Sequence, residues 1–208
     1  MKKRLGTITG LLLLGGVLVA AANGPMAQVK MTVDQVLAIV KDPALQGSAK
    51  QAERRRKLRE VVFTRFGFRE MAKRSLGIHW RDRSVRERDE FVRLFADLLE
   101  RSYVGKIEAY ASEQILFVGE TVEGRYARVQ TRIVTDRSPD IPIEYRLLMQ
   151  EGRWAVYDVV IEGVSLVSNY RTQFNRIIVT SSYRELVKKM QVKEAAEKLG
   201  NVAPGGKR

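Results

Sequence analysis

Near residue 110 the hydrophobic pattern of this chain changes its period, and that change constrains the fold more than any other feature. Before it, Phe91, Leu94, Phe95, Leu98, Leu99, Tyr103 and Ile107 recur at helical spacing and form one apolar stripe. After it, residues 126–134 alternate. Arg128, Gln130 and Arg132 fall on one side and Ala127, Val129, Thr131 and Ile133 on the other. Residues 114–118, 126–134, 141–150 and 153–162 read as four successive strands joined by short turns, with Glu151-Gly152 a tight hairpin signal. Connections this short suit only antiparallel pairing. Helical spacing resumes over 164–178. The pattern predicts an α+β chain, an antiparallel four-stranded curved sheet with helices before and after it.

Capping signals divide the helical parts. Thr32-Val33-Asp34-Gln35 predicts a helix start, with Val33, Val36, Leu37 and Val40 on one side and Asp42-Pro43 at its end. A second helix is expected over 50–63, broken by Arg65-Phe66-Gly67-Phe68, and a short one over 69–76 stopped by Gly77. Ser84-Val85-Arg86-Glu87 opens the long helix. Ser182-Tyr183-Arg184-Glu185 opens the last, which is expected to run through Met190 toward Leu199. The Gly- and Pro-containing tail over 200–208 is expected to be disordered.

The N-terminus carries its own signal. Met1-Lys2-Lys3-Arg4 precedes an uncharged stretch over 5–22 that ends in Ala20-Ala21-Ala22, the layout of a signal peptide over 1–22 and of export to the periplasm. Asn23-Gly24-Pro25 reads as a helix stop. One domain is then expected over 28–199, with helical parts at 32–111 and 164–199 and the sheet at 114–162. The 37 Lys and Arg outnumber the 24 Asp and Glu, and losing Lys2, Lys3 and Arg4 takes the net charge from +13 to +10. Outside the cytosol such a balance suits anionic lipid or an acidic protein partner. The densest run, Lys50, Arg54, Arg55, Arg56, Lys57 and Arg59, lacks the interleaved aromatics of a nucleic-acid platform and reads as a solvated helix face. There is no cysteine and only one histidine, His79, so thiolate chemistry and Cys- or His-rich metal sites are excluded. No cofactor, no metal and no nucleic acid are expected, and the chain is read as a monomer.

A helix stripe laid on a concave sheet makes a cone that is either filled by side chains or hollow for an apolar guest. Periodicity does not choose between them. Asp158 and Glu162, four apart on one strand, would share a face and could form an acid/base pair.

Specific residues resemble a family. Met71-Ala72, Leu76-Gly77-Ile78-His79-Trp80, Phe91, Phe95-Ala96-Asp97-Leu98-Leu99 and Tyr103 are similar to the helical stretch of MlaC-type proteins, the toluene-tolerance auxiliary transport proteins. Trp154-Ala155-Val156-Tyr157-Asp158-Val159, Glu162-Gly163-Val164-Ser165-Leu166-Val167, Asn169-Tyr170-Arg171 and Gln173-Phe174 resemble that family's C-terminal signature more closely still. The resemblance covers about 33–190. It departs at Gly67, where similar sequences usually carry Asp between two Phe, so the side-chain cap such an Asp provides is missing here.

The resemblance implies a nuclear-transport-factor-2-like cone, hollow, with phospholipid acyl chains inside. It implies a periplasmic carrier without enzymatic activity, moving lipid between an outer-membrane lipoprotein complex and an inner-membrane ABC transporter complex and so maintaining outer-membrane lipid asymmetry. A hopanoid-associated branch would carry polycyclic lipid, and an isomerase-type enzyme on the same cone is the alternative of another class. A carrier wants an apolar lining with few ionisable groups. The candidate lining is Leu94, Leu98 and Tyr103 on the long helix, Val129, Ile133, Tyr145, Leu147, Val156 and Val160 on the strands, and Val164, Val167, Tyr170 and Phe174 on the closing helix. His79 is read as a packing or capping residue, and Arg171 as a structural residue or a phosphate contact.

Overall fold

The structure, a computed structural model, describes residues 24–109, 113–134 and 139–191. The expected signal segment, the end of the last helix and the tail lie outside the described residues. Helix α1 spans Pro25–Lys41 and so begins before the capping pattern at Thr32. Gly24 is its N-cap and Pro25 its first residue, where a fixed φ and a missing N–H cost nothing. Thr32 is a mid-helix residue. Its hydroxyl donates to the Gln28 carbonyl at 3.0 Å and accepts from Arg65 Nε at 3.1 Å. Gly24-Pro25 therefore opens a helix where the sequence reading has a stop.

Helices α2 (Gln51–Arg65), α3 (Phe68–Leu76) and α4 (Val85–Ala109) follow close to their expected places. The reciprocal cap predicted for α4 is formed. Glu87 N–H donates to Ser84 Oγ at 3.2 Å, and Ser84 N–H donates to Glu87 Oε2 at 2.8 Å. That backbone donation, with the Ser84 hydroxyl second, holds the Glu87 carboxyl below its ordinary pKa.

Strands β1 (Gln114–Glu123), β2 (Tyr126–Val134), β3 (Ile141–Gln150), β4 (Arg153–Ile161) and a two-residue β5 (Val164–Ser165) pair in sequence order, every neighbour antiparallel. The fifth strand arises because Glu162-Gly163 makes a second two-residue turn. Its φ values of 49° and 82° match the 49° and 78° of Glu151-Gly152, the left-handed pair that a tight hairpin requires. Helix α5 (Leu166–Thr180) therefore starts after this hairpin, capped by Ser165 Oγ, which accepts from Ser168 N–H at 3.0 Å. Helix α6 spans Tyr183–Gln191, with Ser182 Oγ accepting from Glu185 N–H at 3.2 Å.

Two cores result. In the first, α1 lays Val29, Met26 and Val33 on one face of the sheet, against Ala127, Val129, Leu147, Trp154 and Val156. The second lies between helices α3, α4, α5 and α6. Phe91, Phe95, Tyr170 and Phe174 meet there edge to face, with ring centroids 5.4–5.8 Å apart. The long stripe of α4, expected on the sheet, gives Phe91, Phe95, Leu98 and Leu99 to this helical core, and only Tyr103 also reaches the sheet core. An amphipathic stripe states that one face is buried but not what buries it. Strand β4, touched by α3 and α5 on its other side, is buried on both faces.

Half of the basic run is a seam, while Lys50, Arg56 and Lys57 stay at the surface beside Glu53 and Glu60. Arg54 and Arg55 reach Glu108 of α4 at 2.8 and 3.2 Å, and Arg59 pairs with Asp97 at 2.9 Å and with Glu100. Burial pushes the Glu108 carboxyl up, but the hydrogen bonds and charges of Arg55 and Arg54 bring its pKa below the ordinary value.

Candidate functional site

The face of the sheet that α1 partly covers is built in rows. The register places Ala127, Leu147 and Val156 side by side, then Val129, Tyr145 and Val159, then Thr131, Ile143 and Ile161, with Ile133 opposite Ile141 beyond them. None of these positions on β2, β3 and β4 is charged. Burial thins along the rows. Val129, Leu147 and Val156 are at most 1% exposed, while Tyr145, Ile143 and Ile161 are only half-buried.

The polar groups of this region are phenols and hydroxyls. Burial pushes the Tyr145 phenol up to about 12, a hydrogen bond with Thr131 working in the opposite sense. Tyr103 is raised by burial and by the neighbouring Tyr170, and Tyr170 is itself raised by burial. The Tyr170 hydroxyl donates to Ser102 Oγ at 3.5 Å. Groups that stay neutral this firmly offer hydrogen bonds without supplying a base. Among the described residues no cluster of acids and histidines could hold a metal ion.

The thirteen residues expected to line a cavity fall into separate places. Val129, Tyr145, Leu147 and Val156 lie together in the sheet core, and Tyr103 joins that core to the helical one. Ile133 is buried at the far end of the same face. Leu98, Val167, Tyr170 and Phe174 belong to the helical core, with Leu94 half-buried against it. Val160 is buried on the opposite face of β4, and Val164 is exposed in the short β5.

The displacement of Val160 has a definite cause. Arg146 pairs with Asp158 but Leu147 pairs with Val156, so Tyr157 is an extra residue, a bulge that reverses the alternation. Val159 and Ile161 take the places that strict alternation assigns to Asp158 and Val160. The bulge thus explains why Val159 and Ile161 were missed, whereas Ile143, in plain alternation with Tyr145 and Leu147, and the α1 contacts Met26, Val29 and Val33 were missed independently of it. The Gly24-Pro25 start could have revealed α1, but nothing in the residue types announces the bulge.

The suspected acid pair is not formed. Glu162 is an exposed turn residue, whereas the Asp158 carboxylate is 3% exposed and fully engaged. It accepts from Ser165 Oγ at 2.6 Å, from Val167 N–H at 3.1 Å and from Arg146 Nη1 at 3.4 Å. Such a carboxylate ties the start of α5 to the sheet. His79 Nε2 lies 2.9 Å from Asn175 Oδ1, joining the turn after α3 to α5, as a packing role requires. Arg171 lays its stem over Gly77, where a Cβ would meet Arg171 Cδ at 3.4 Å. Gly67, without a side chain to cap α3, donates its N–H to the Val156 carbonyl at 2.8 Å.

Comparison with known proteins places this arrangement. The family model described as MlaC protein matches residues 30–192. A curated relative, the intermembrane phospholipid transport system binding protein MlaC of Haemophilus influenzae, is 26% identical over 121 residues. The match spans 56% of each chain, so just over half the length of that relative. Among solved structures, a phospholipid-binding protein from Ralstonia solanacearum in complex with a phospholipid superposes with a TM-score of 0.73 at 23% identity. That superposition covers 84% of this chain and 97% of the other and establishes a common fold. With a family model that matches most of its length, the chain belongs to the MlaC family.

Proposed function

We propose that this protein is a periplasmic carrier that holds phospholipid acyl chains against the uncharged face of its sheet. It passes lipid between an inner-membrane ABC transporter complex and an outer-membrane lipoprotein complex, and so serves the lipid asymmetry of the outer membrane. The observation that carries this reading is the uncharged sheet face, on which Tyr145, Ile143 and Ile161 are only half-buried among the buried Val129, Thr131 and Val159. An acyl chain laid there gains about 0.8 kcal/mol for each buried methylene, and no buried charge opposes its entry. The names of the two similar proteins, one a transport-system binding protein and one crystallised with a phospholipid, point the same way. Nothing on this face supplies a nucleophile or a base, so the reading is of a binding protein without catalysis.

Mass spectrometry of organic extracts from natively purified protein tests the proposal. Phospholipid near one molecule per chain is expected, and protein that consistently yields no lipid overturns the reading. A polycyclic lipid would reassign the cargo. Ile143→Asp is the matching variant. It places a carboxylate on a half-buried row and should lose bound lipid with only a small fall in melting temperature, because the empty face lets water reach the charge.

A further inference from the structure

The two most exposed large apolar side chains among the described residues are Ile78, 77% exposed, and Val179, 71%. They share one side of the molecule. Ile78 adjoins His79, which is bonded to Asn175, and Val179 lies one turn beyond Asn175 on α5. Arg171 is one turn before Asn175, and its stem covers Gly77 beside Ile78. Lys73 and Arg81 flank the turn, and Arg176 follows Asn175.

This side is also basic. Residues 68–83 and 166–180 together hold seven Lys and Arg against two Asp and Glu, and α5 has no acidic residue at all. In the denser run on α2, Arg54, Arg55 and Arg59 are paired with Glu108, Asp97 and Glu100, and Lys50, Arg56 and Lys57 with Glu53 and Glu60. By contrast, Lys73, Arg81, Arg171 and Arg176, all exposed, have no carboxylate partner among the described residues. Four unpaired cations around an aliphatic tip attract lipid phosphate from a distance and let an apolar group enter the interface on contact. A stable protein partner would instead call for a contiguous apolar patch, and here the two aliphatic side chains stand singly.

We propose that this side, with Ile78 and Val179 among Lys73, Arg81, Arg171 and Arg176, docks on an anionic bilayer surface. The aliphatic side chains enter the headgroup region and the cations meet lipid phosphates. The proposal goes beyond the carrier reading, because it concerns contact with a membrane whether or not lipid is held on the sheet face.

Sedimentation with vesicles tests it, using protein obtained by expressing the full chain, its N-terminus checked by intact mass. Vesicles of phosphatidylcholine with phosphatidylglycerol should bind the protein, and pure phosphatidylcholine vesicles should not. Ile78→Asn should weaken binding about tenfold, and the triple change Lys73→Gln, Arg171→Gln, Arg176→Gln on the order of a hundredfold. Because these residues are exposed, melting temperatures should stay with the parent. Lys41→Gln, Arg56→Gln and Lys57→Gln on α1 and α2 remove the same charge elsewhere and should weaken binding far less. Equal weakening by both triple variants would reduce the effect to net charge and overturn the proposal. So would failure to bind either vesicle, or full binding by Ile78→Asn. Lipid recovered by extraction reports the carrier reading separately, so either reading can fail alone.

Discussion

Asp158 shows how one residue can carry a catalytic appearance and a structural task. Its carboxylate bridges a strand, the first turn of α5 and Arg146, and it is almost wholly removed from water. Asp158→Ala leaves the Val167 N–H and the Ser165 hydroxyl without their acceptor inside the fold. It should cost about 3 kcal/mol of stability, read as a lower urea midpoint at unchanged slope. Gly67 is the opposite case, a position where something is absent. Its φ of −86° suits any residue, and a Cβ there would meet Ala155 Cβ at an ordinary 3.4 Å. Gly67→Asp adds an acceptor for the open N–H groups of α3 and removes glycine's freedom from the unfolded chain. A gain of roughly 0.5–1 kcal/mol is expected in the same denaturation assay.

At the scale of elements, α4 decides how the two cores divide. Its N-terminal two-thirds is a helix among helices, and its last turns bring Tyr103 to the sheet and Glu108 to the arginines of α2. Leu98 separates the two roles experimentally. It is fully buried beside Phe91 and Phe95 in the helical core, so Leu98→Asp strands a carboxylate among rings. Loss of several kcal/mol and a largely unfolded circular dichroism spectrum are expected. Folded Leu98→Asp protein would show that this part of α4 faces a space open to water.

Over the whole molecule, partly buried phenols set the alkaline limit of stability. Tyr145 and Tyr183 are pushed up to about 12, and Tyr103 is raised further, in each case chiefly by burial. A phenol raised in the folded state leaves stability unaffected below its unfolded pKa of about 10, and favours unfolding as pH climbs toward the folded value. The protein should therefore hold its stability up to about pH 10 and lose it between about 10 and 12, with tyrosinate absorbance rising together with the loss of helical signal. Tyr145→Phe should flatten that fall. Independent titration of all tyrosines while the fold persists would contradict the burial seen for these rings.

The residues alone determined the class of fold. A change of period, four strands on short turns and the Ser84–Glu87 cap are local features, each stated by neighbours in the chain, and α4 and the order of the sheet followed from them. The alternation of β2 likewise told which side chains face inward. Partners were decided only in three dimensions. Whether the stripe of α4 meets sheet or helices, whether the α2 arginines are free or held, and where Asp158 points depend on elements far apart in sequence. The bulge at Tyr157 exchanged Val160 for Val159 at the candidate site, because one inserted residue reverses a pattern of period two. Periodicity reports that a side chain is buried, and only the packed molecule reports against what.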